Sequence, residues 1–199
     1  MKMRLLVPAL IVGALATTAL TQPLIARAND SRKSLHSGVE VGGTLSAFMP
    51  THVTGQDKGT RTCPVCHYPQ NPAVQVWVNT DTASNLDPLV TDLEMATAGH
   101  SDKKFKAFVV FMNPKTLPDA TMEKQLKAMA AHDKVSNVAL TYLPNTKDSA
   151  VEEYAINTDP QVKNTVFVYR QRKVVAKFIN FVADKQGLAE LNSAIQKVL

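Results

Sequence analysis

The chain has 199 residues, 45% apolar and 20% charged, the proportions of an ordinary globular domain, which exclude a disordered tail, a collagen-like chain and a multispan membrane protein. Eight Gly, eleven Pro and two Cys exclude a low-complexity chain and a disulfide-dense miniprotein. The formal charge of +5 falls to +2 once Lys2, Arg4 and Arg27 of the N-terminal segment are set aside, leaving 19 basic residues against 17 acidic, with no basic stripe to act as a nucleic-acid footprint.

The first 28 residues carry Lys2 and Arg4, then an apolar stretch from Leu5 to Leu20, then Ala26-Arg27-Ala28. This is the charged, apolar and small-x-small order of a secretion signal. The expectation is cleavage after Ala28, a periplasmic or secreted protein, and no membrane attachment once the signal is removed. Residues 29–42 are polar and unpatterned and read as a flexible leader to a domain over 43–199.

Within that domain the hydrophobic period switches repeatedly between 2 and 3.6. Residues 73–79 (AVQVWVN) read as a strand. Residues 84–98 carry Leu86, Leu89, Val90, Leu93 and Met95 at helical spacing, with Ser84 or Asn85 as N-cap and Gly99 as the stop. A buried strand is expected over 105–112, a helix over 121–132 facing inward through Met122, Leu126, Met129 and Ala130, and a strand over 137–143. A short helix over 149–154 follows, then strands at 165–170 and 174–181, and an amphipathic helix over 186–199 closes the chain.

Strands separated by helices of this length need parallel crossovers, whereas the short Gln171-Arg172-Lys173 link forces the last two strands antiparallel. The order is β-α-β-α-β-α-β-β-α. Together with Val41-Gly42-Gly43, Phe48-Met49-Pro50, Tyr154-Ala155-Ile156 and the run Asn164 to Val168, it resembles the thioredoxin-like superfamily and its redoxin branch of peroxiredoxins and thiol oxidoreductases. The resemblance implies an α/β three-layer sandwich: a central mixed sheet, a C-terminal β-hairpin and a closing helix. A different α/β sandwich is the alternative.

The two cysteines form Cys63-Pro64-Val65-Cys66, a spacing that closes a small disulfide ring reversibly. In an exported chain the pair meets oxidising conditions. Its placement departs from the family, whose thiols follow the first central strand and open the next helix. The equivalent stretch here, Thr80 to Asn85, holds no cysteine, so peroxidase activity is not expected. Pro69 and Pro72 disfavour a helix starting at the pair. Asn164 stands where thioredoxins carry a cis-proline, and a trans bond is expected there.

Four readings of the pair remain open. It is a working thiol–disulfide couple acting on protein thiols and disulfides, for which the resemblance implies Cys63 as the attacking sulfur and His67 could stabilise a thiolate. It is a structural disulfide in a binding or scaffold domain. It is a c-type haem attachment site, because Cys63-Pro64-Val65-Cys66-His67 satisfies C-x-x-C-H, with Met49 or His52 as sixth ligand. Or Cys63, Cys66, His67 and His52 hold a structural metal. The working couple is preferred, with no cofactor and no metal. His100 and His132 at helix ends read as structural or solvated, His36 belongs to the leader, and Met95, Met112, Met122 and Met129 read as core filler, as does Trp77.

Overall fold

The computed structural model describes residues 35–199. The expected secretion signal and the first residues of the leader lie outside the described residues. The elements are β1 (Thr51–His52), α1 (Pro64–His67), β2 (Ala73–Val78), α2 (Ala83–Gly99), β3 (Lys106–Phe111), α3 (Asp119–His132), β4 (Ala139–Tyr142), α4 (Ser149–Glu153), β5 (Asn164–Arg170), β6 (Lys173–Ile179) and α5 (Lys185–Gln196). A 3-10 turn over Ser101–Lys103 links α2 to β3.

One six-stranded sheet runs in the order β1-β4-β3-β2-β5-β6. β2, β3 and β4 are parallel neighbours, while β5 lies antiparallel to β2 and β6 to β5. Trp77 sits between Val110 on one side and Thr165 on the other, so the fully buried strand β2 occupies the middle of the sheet. Gln171 and Arg172, both at positive φ, form a two-residue hairpin turn whose twist matches the strands.

Successive crossovers β2-α2-β3 and β3-α3-β4 step in the same direction and, being right-handed, place both helices on one face. The buried side chains follow that rule. Leu86, Leu89 and Leu93 of α2, Met122 and Leu126 of α3, and Leu191 and Ile195 of α5 pack on Val74, Val76, Val109 and Val168. The other face, with Trp77, Phe108, Val110, Phe167 and Tyr169, is covered instead by Leu45, Phe48, Cys63, Val65, Ala150, Val151 and Tyr154. Alternate residues of β5 therefore serve opposite cores, as the strand period requires. On this second face Gln75, fully buried, accepts from the Trp77 indole and donates to Tyr169 Oη, both at 3.2 Å.

Three expectations change. Part of the expected leader, from Ser37 to Gly42, lies on the sheet. Ser37 Oγ is 2.6 Å from Thr165 Oγ1, Gly38 N–H donates to Ala155 O at 2.8 Å and Gly42 N–H to Val174 O at 2.8 Å. Glycine is required at 38, where φ is +80° and a Cβ would collide with the Phe167 ring. The two-residue edge strand β1 escaped the sequence reading because its pairing with Thr141 and Tyr142 carries no period of its own. Finally, α2 begins one residue early with Thr82 as N-cap and no side-chain cap bond, and Gly99 is its last residue, not its stop.

Candidate functional site

α1 is a single helical turn built on the cysteine pair. Cys63 is its N-cap and Pro64 its first residue, a position where proline's fixed φ and missing N–H are favourable. Cys66 N–H donates to Cys63 Sγ at 3.2 Å, and His67 N–H donates to Cys63 O at 2.9 Å. The expectation that no helix starts at the pair is thus corrected: Pro69 and Pro72 stop the helix after one turn, and Pro64 helps to start it.

The two cysteines are bonded to each other, with a Cα–Cα separation of 5.2 Å. Their surroundings differ sharply. Cys63 is 6% exposed and belongs to the core beneath Trp77 and Phe108, whereas Cys66 is exposed. The resemblance implies Cys63 as the attacking sulfur, whereas the exposed cysteine is Cys66.

A polar shell flanks the disulfide. Asp57, 9% exposed, accepts from Tyr68 Oη at 3.0 Å and lies 3.2 Å from His67 Nδ1. The His67 ring stacks on Tyr68 with centroids 4.5 Å apart. Lys106 Nζ sits 4.8 Å from the Tyr68 ring centroid and donates to Gln56 Oε1 at 2.8 Å; partial burial lowers its pKa. Burial and the neighbouring carboxylate push the Tyr68 phenol well above its ordinary range, so it stays a proton donor.

His52 is 1% exposed, and burial holds its pKa below the ordinary histidine value. Neutral, it donates from Nε2 to Thr62 O at 2.8 Å and thereby fixes the peptide immediately before Cys63, while its Nδ1 has no partner. The four residues considered as a metal set are not arranged as one. The sulfurs are bonded to each other, His67 faces Asp57 and His52 faces Thr62. Met49, half exposed, is not brought to His67 by any described contact.

The pair precedes the N-terminal end of β2, and Cys63 belongs to the core on the face away from α2. The redoxin position lies at the other end of β2, about 20 Å along a six-residue strand. There Asp81 anchors the turn into α2. Its Oδ1 accepts from Thr82 N–H and its Oδ2 from Asn85 Nδ2, both at 2.8 Å, and Oδ2 also accepts from Asn164 Nδ2. Asn164 further donates to Phe181 O at 3.0 Å and accepts from Phe181 N–H at 2.8 Å. Its preceding peptide bond is trans. Sequence reasoning noted only the missing cysteine and proline; two asparagines that each donate to Asp81 and to the Phe181 carbonyl have no linear signature.

No protein-family model and no curated protein sequence matches the chain. Solved structures do match. The thioredoxin domain of a thiol-disulfide oxidoreductase from Bacteroides vulgatus superposes with a TM-score of 0.58 at 16% identity, covering 81% of this chain and 99% of that one. The peroxidoxin BcpB of Mycobacterium tuberculosis gives 0.58 at 14% identity, over 82% and 97%. A thiol peroxidase from Chromobacterium violaceum gives 0.55 at 13%, over 82% and 90%. The chain has the thioredoxin-like α/β fold, and its structural neighbours are redoxin-type proteins. Within that fold it carries its cysteine pair before β2, and an aspartate–asparagine network at the head of α2.

Proposed function

We propose that the protein exchanges thiols and disulfides with protein partners at Cys63 and Cys66, after export to an oxidising compartment and without peroxidase activity. The observation that carries the reading is a closed C-x-x-C ring with one exposed and one buried cysteine on a thioredoxin-like fold. A partner thiolate attacks Cys66 Sγ, the S–S bond breaks, and Cys63 leaves as a thiolate that keeps the hydrogen bond from Cys66 N–H. A second partner thiolate then attacks the partner sulfur of the mixed disulfide, releasing the oxidised partner and leaving Cys66 reduced. The reverse sequence reduces a partner disulfide. Peroxidase chemistry lacks support because Asp81, Thr82 and Asn85 stand where a redoxin thiol would sit. The reading without haem is supported by Cys63, which is 6% exposed and bonded to Cys66. Among the described residues no helix is long and apolar enough to cross a membrane.

Two measurements test the proposal. Equilibration against glutathione should place the couple between roughly −120 and −270 mV; a potential below about −300 mV is that of a structural disulfide and would refute exchange. Cys63→Ser should trap a mixed disulfide with an activated thiol peptide through Cys66, and Cys66→Ser should trap far more slowly. Faster trapping by Cys66→Ser would return the attacking role to Cys63.

A further inference from the structure

The last turn of α3 meets the first half of α2 at a cleft of about 420 Å³, walled by Ala83, Leu86, Ala128 and Met129, with Asp87 and His132 in its lining. Asp87, His132 and Asp133 each offer a ligating atom, and the three atoms lie within 4.8 Å of one another. His132 Nδ1 is 2.6 Å from Asp133 Oδ1. The Asp133 side chain is only 3% exposed, yet its Oδ2 is buried with no hydrogen-bond partner. A buried carboxylate oxygen without a donor is costly. Asp133 stands beside a histidine and a second carboxylate, the company in which a divalent cation can hold a buried carboxylate.

We propose that Asp87, His132 and Asp133 form a zinc-type divalent cation site joining α2 to α3, independent of the cysteine pair. The donor set is one imidazole nitrogen and two carboxylates, which suits zinc and its late first-row neighbours; calcium and magnesium favour all-oxygen shells. Ligand atoms around a tetrahedral zinc lie about 3.4 Å apart. The His132 side chain is 76% exposed, so its ring has room to adjust toward that spacing. The cation binds where His132 Nδ1 and Asp133 Oδ1 now meet: a neutral imidazole moves its proton to the other ring nitrogen, and a protonated one releases one proton to solvent. The C-terminal end of a helix carries partial negative charge and favours a cation, and α3 ends at His132. Three protein ligands leave a coordination position for water or an anionic donor, as in zinc sites that exchange ligands, and the apolar cleft gives that position a sheltered wall.

The test is calorimetric titration of Zn²⁺ alone into the full chain, purified without a polyhistidine tag and with the disulfide closed so that the cysteines offer no thiolate. One ion per chain should bind and raise the thermal midpoint. Asp87→Asn, His132→Gln and Asp133→Asn should each weaken binding by about tenfold or more, the scale that even outer-shell partners of a metal carry. Circular dichroism confirms that the variants fold. Substitution by Co²⁺ should give the visible bands of a low-coordinate centre, lost in His132→Gln. Absence of saturable binding, or an affinity unchanged in all three variants, overturns the site. So does an Asp133→Asn protein that gains thermal stability while its zinc affinity is unchanged, because the buried oxygen would then be a packing cost alone.

Discussion

Reduction of the Cys63–Cys66 bond is expected to lower the unfolding free energy by only about 2 kcal/mol. The two cysteines are three positions apart, so the closed ring holds four residues. The chain-entropy relation assigns such a ring about 2 kcal/mol at 25 °C, against about 3 kcal/mol for a fifteen-residue loop. Little else changes when the bond opens. Cys63 and Val65 stay among apolar neighbours, and the hydrogen bonds of His52 to Thr62 O and of Tyr68 to Asp57 clamp the chain on either side of the pair. A domain of this size has roughly 5–15 kcal/mol to lose, so the reduced protein remains folded and the couple can cycle. Urea unfolding with and without excess dithiothreitol measures the difference, read through the fluorescence of the single, fully buried Trp77. With a slope of about 2 kcal/mol per molar urea, the midpoint should fall by about 1 M with the slope unchanged. A loss above about 4 kcal/mol, or a collapsed slope, would show that the disulfide holds the fold and would refute a freely reversible couple.

Gly38→Ala should destabilise by about 1–3 kcal/mol, since it strains a φ of +80° and drives a methyl group into Phe167; a thermal midpoint equal to wild type would mean that residues 36–42 do not hold the fold. Asp57→Ala leaves the Tyr68 hydroxyl and His67 without their shared acceptor and should cost about 1–2 kcal/mol in urea unfolding. Glu94 accepts backbone N–H bonds from Ser136, Asn137 and Val138, and Glu94→Gln should cost about 2 kcal/mol at neutral pH. Burial raises the Glu94 pKa, but the bonds from Val138, Asn137 and Ser136 outweigh it and leave the value below 4.5. A folded pKa below the unfolded one contributes stability that is present above about pH 4.5 and lost as pH falls through the folded value. The thermal-midpoint gap between wild type and Glu94→Gln should therefore narrow between pH 6 and pH 3; a constant gap would mean that charge plays no part.

The sheet was readable because its parallel strands are apolar on both faces and its helices are long enough to show a period. Runs such as 73–79 and 105–112 leave few alternatives once helices separate them. The cover of the second face was not readable. Residues 36–50 have no period, and their burial depends on one glycine, one serine and the Tyr154 hydroxyl bonded to Ser46 O at 2.7 Å. The cysteine pair was legible as a motif, but not which sulfur faces solvent, because exposure within a single turn follows from what the turn packs against. Asp57 illustrates the limit further: its partners His67 and Tyr68 lie ten and eleven residues away across an irregular loop, a separation that carries no pattern.

Three long helices shield one face of the sheet, and irregular chain shields the other, the one that holds Cys63. Amide protection should therefore be lopsided. Backbone N–H groups in β2, β3 and β5 exchange only with global unfolding, while those between Val53 and Asn71 exchange through cheaper, sub-global openings that leave the ladder intact. Such an opening lifts a single turn of helix and brings the inner sulfur to solvent. The rate at which a bulky oxidant or reductant reaches Cys63 is then set by this local equilibrium, so mutations that strengthen the sheet should change the melting temperature without changing the speed of that access.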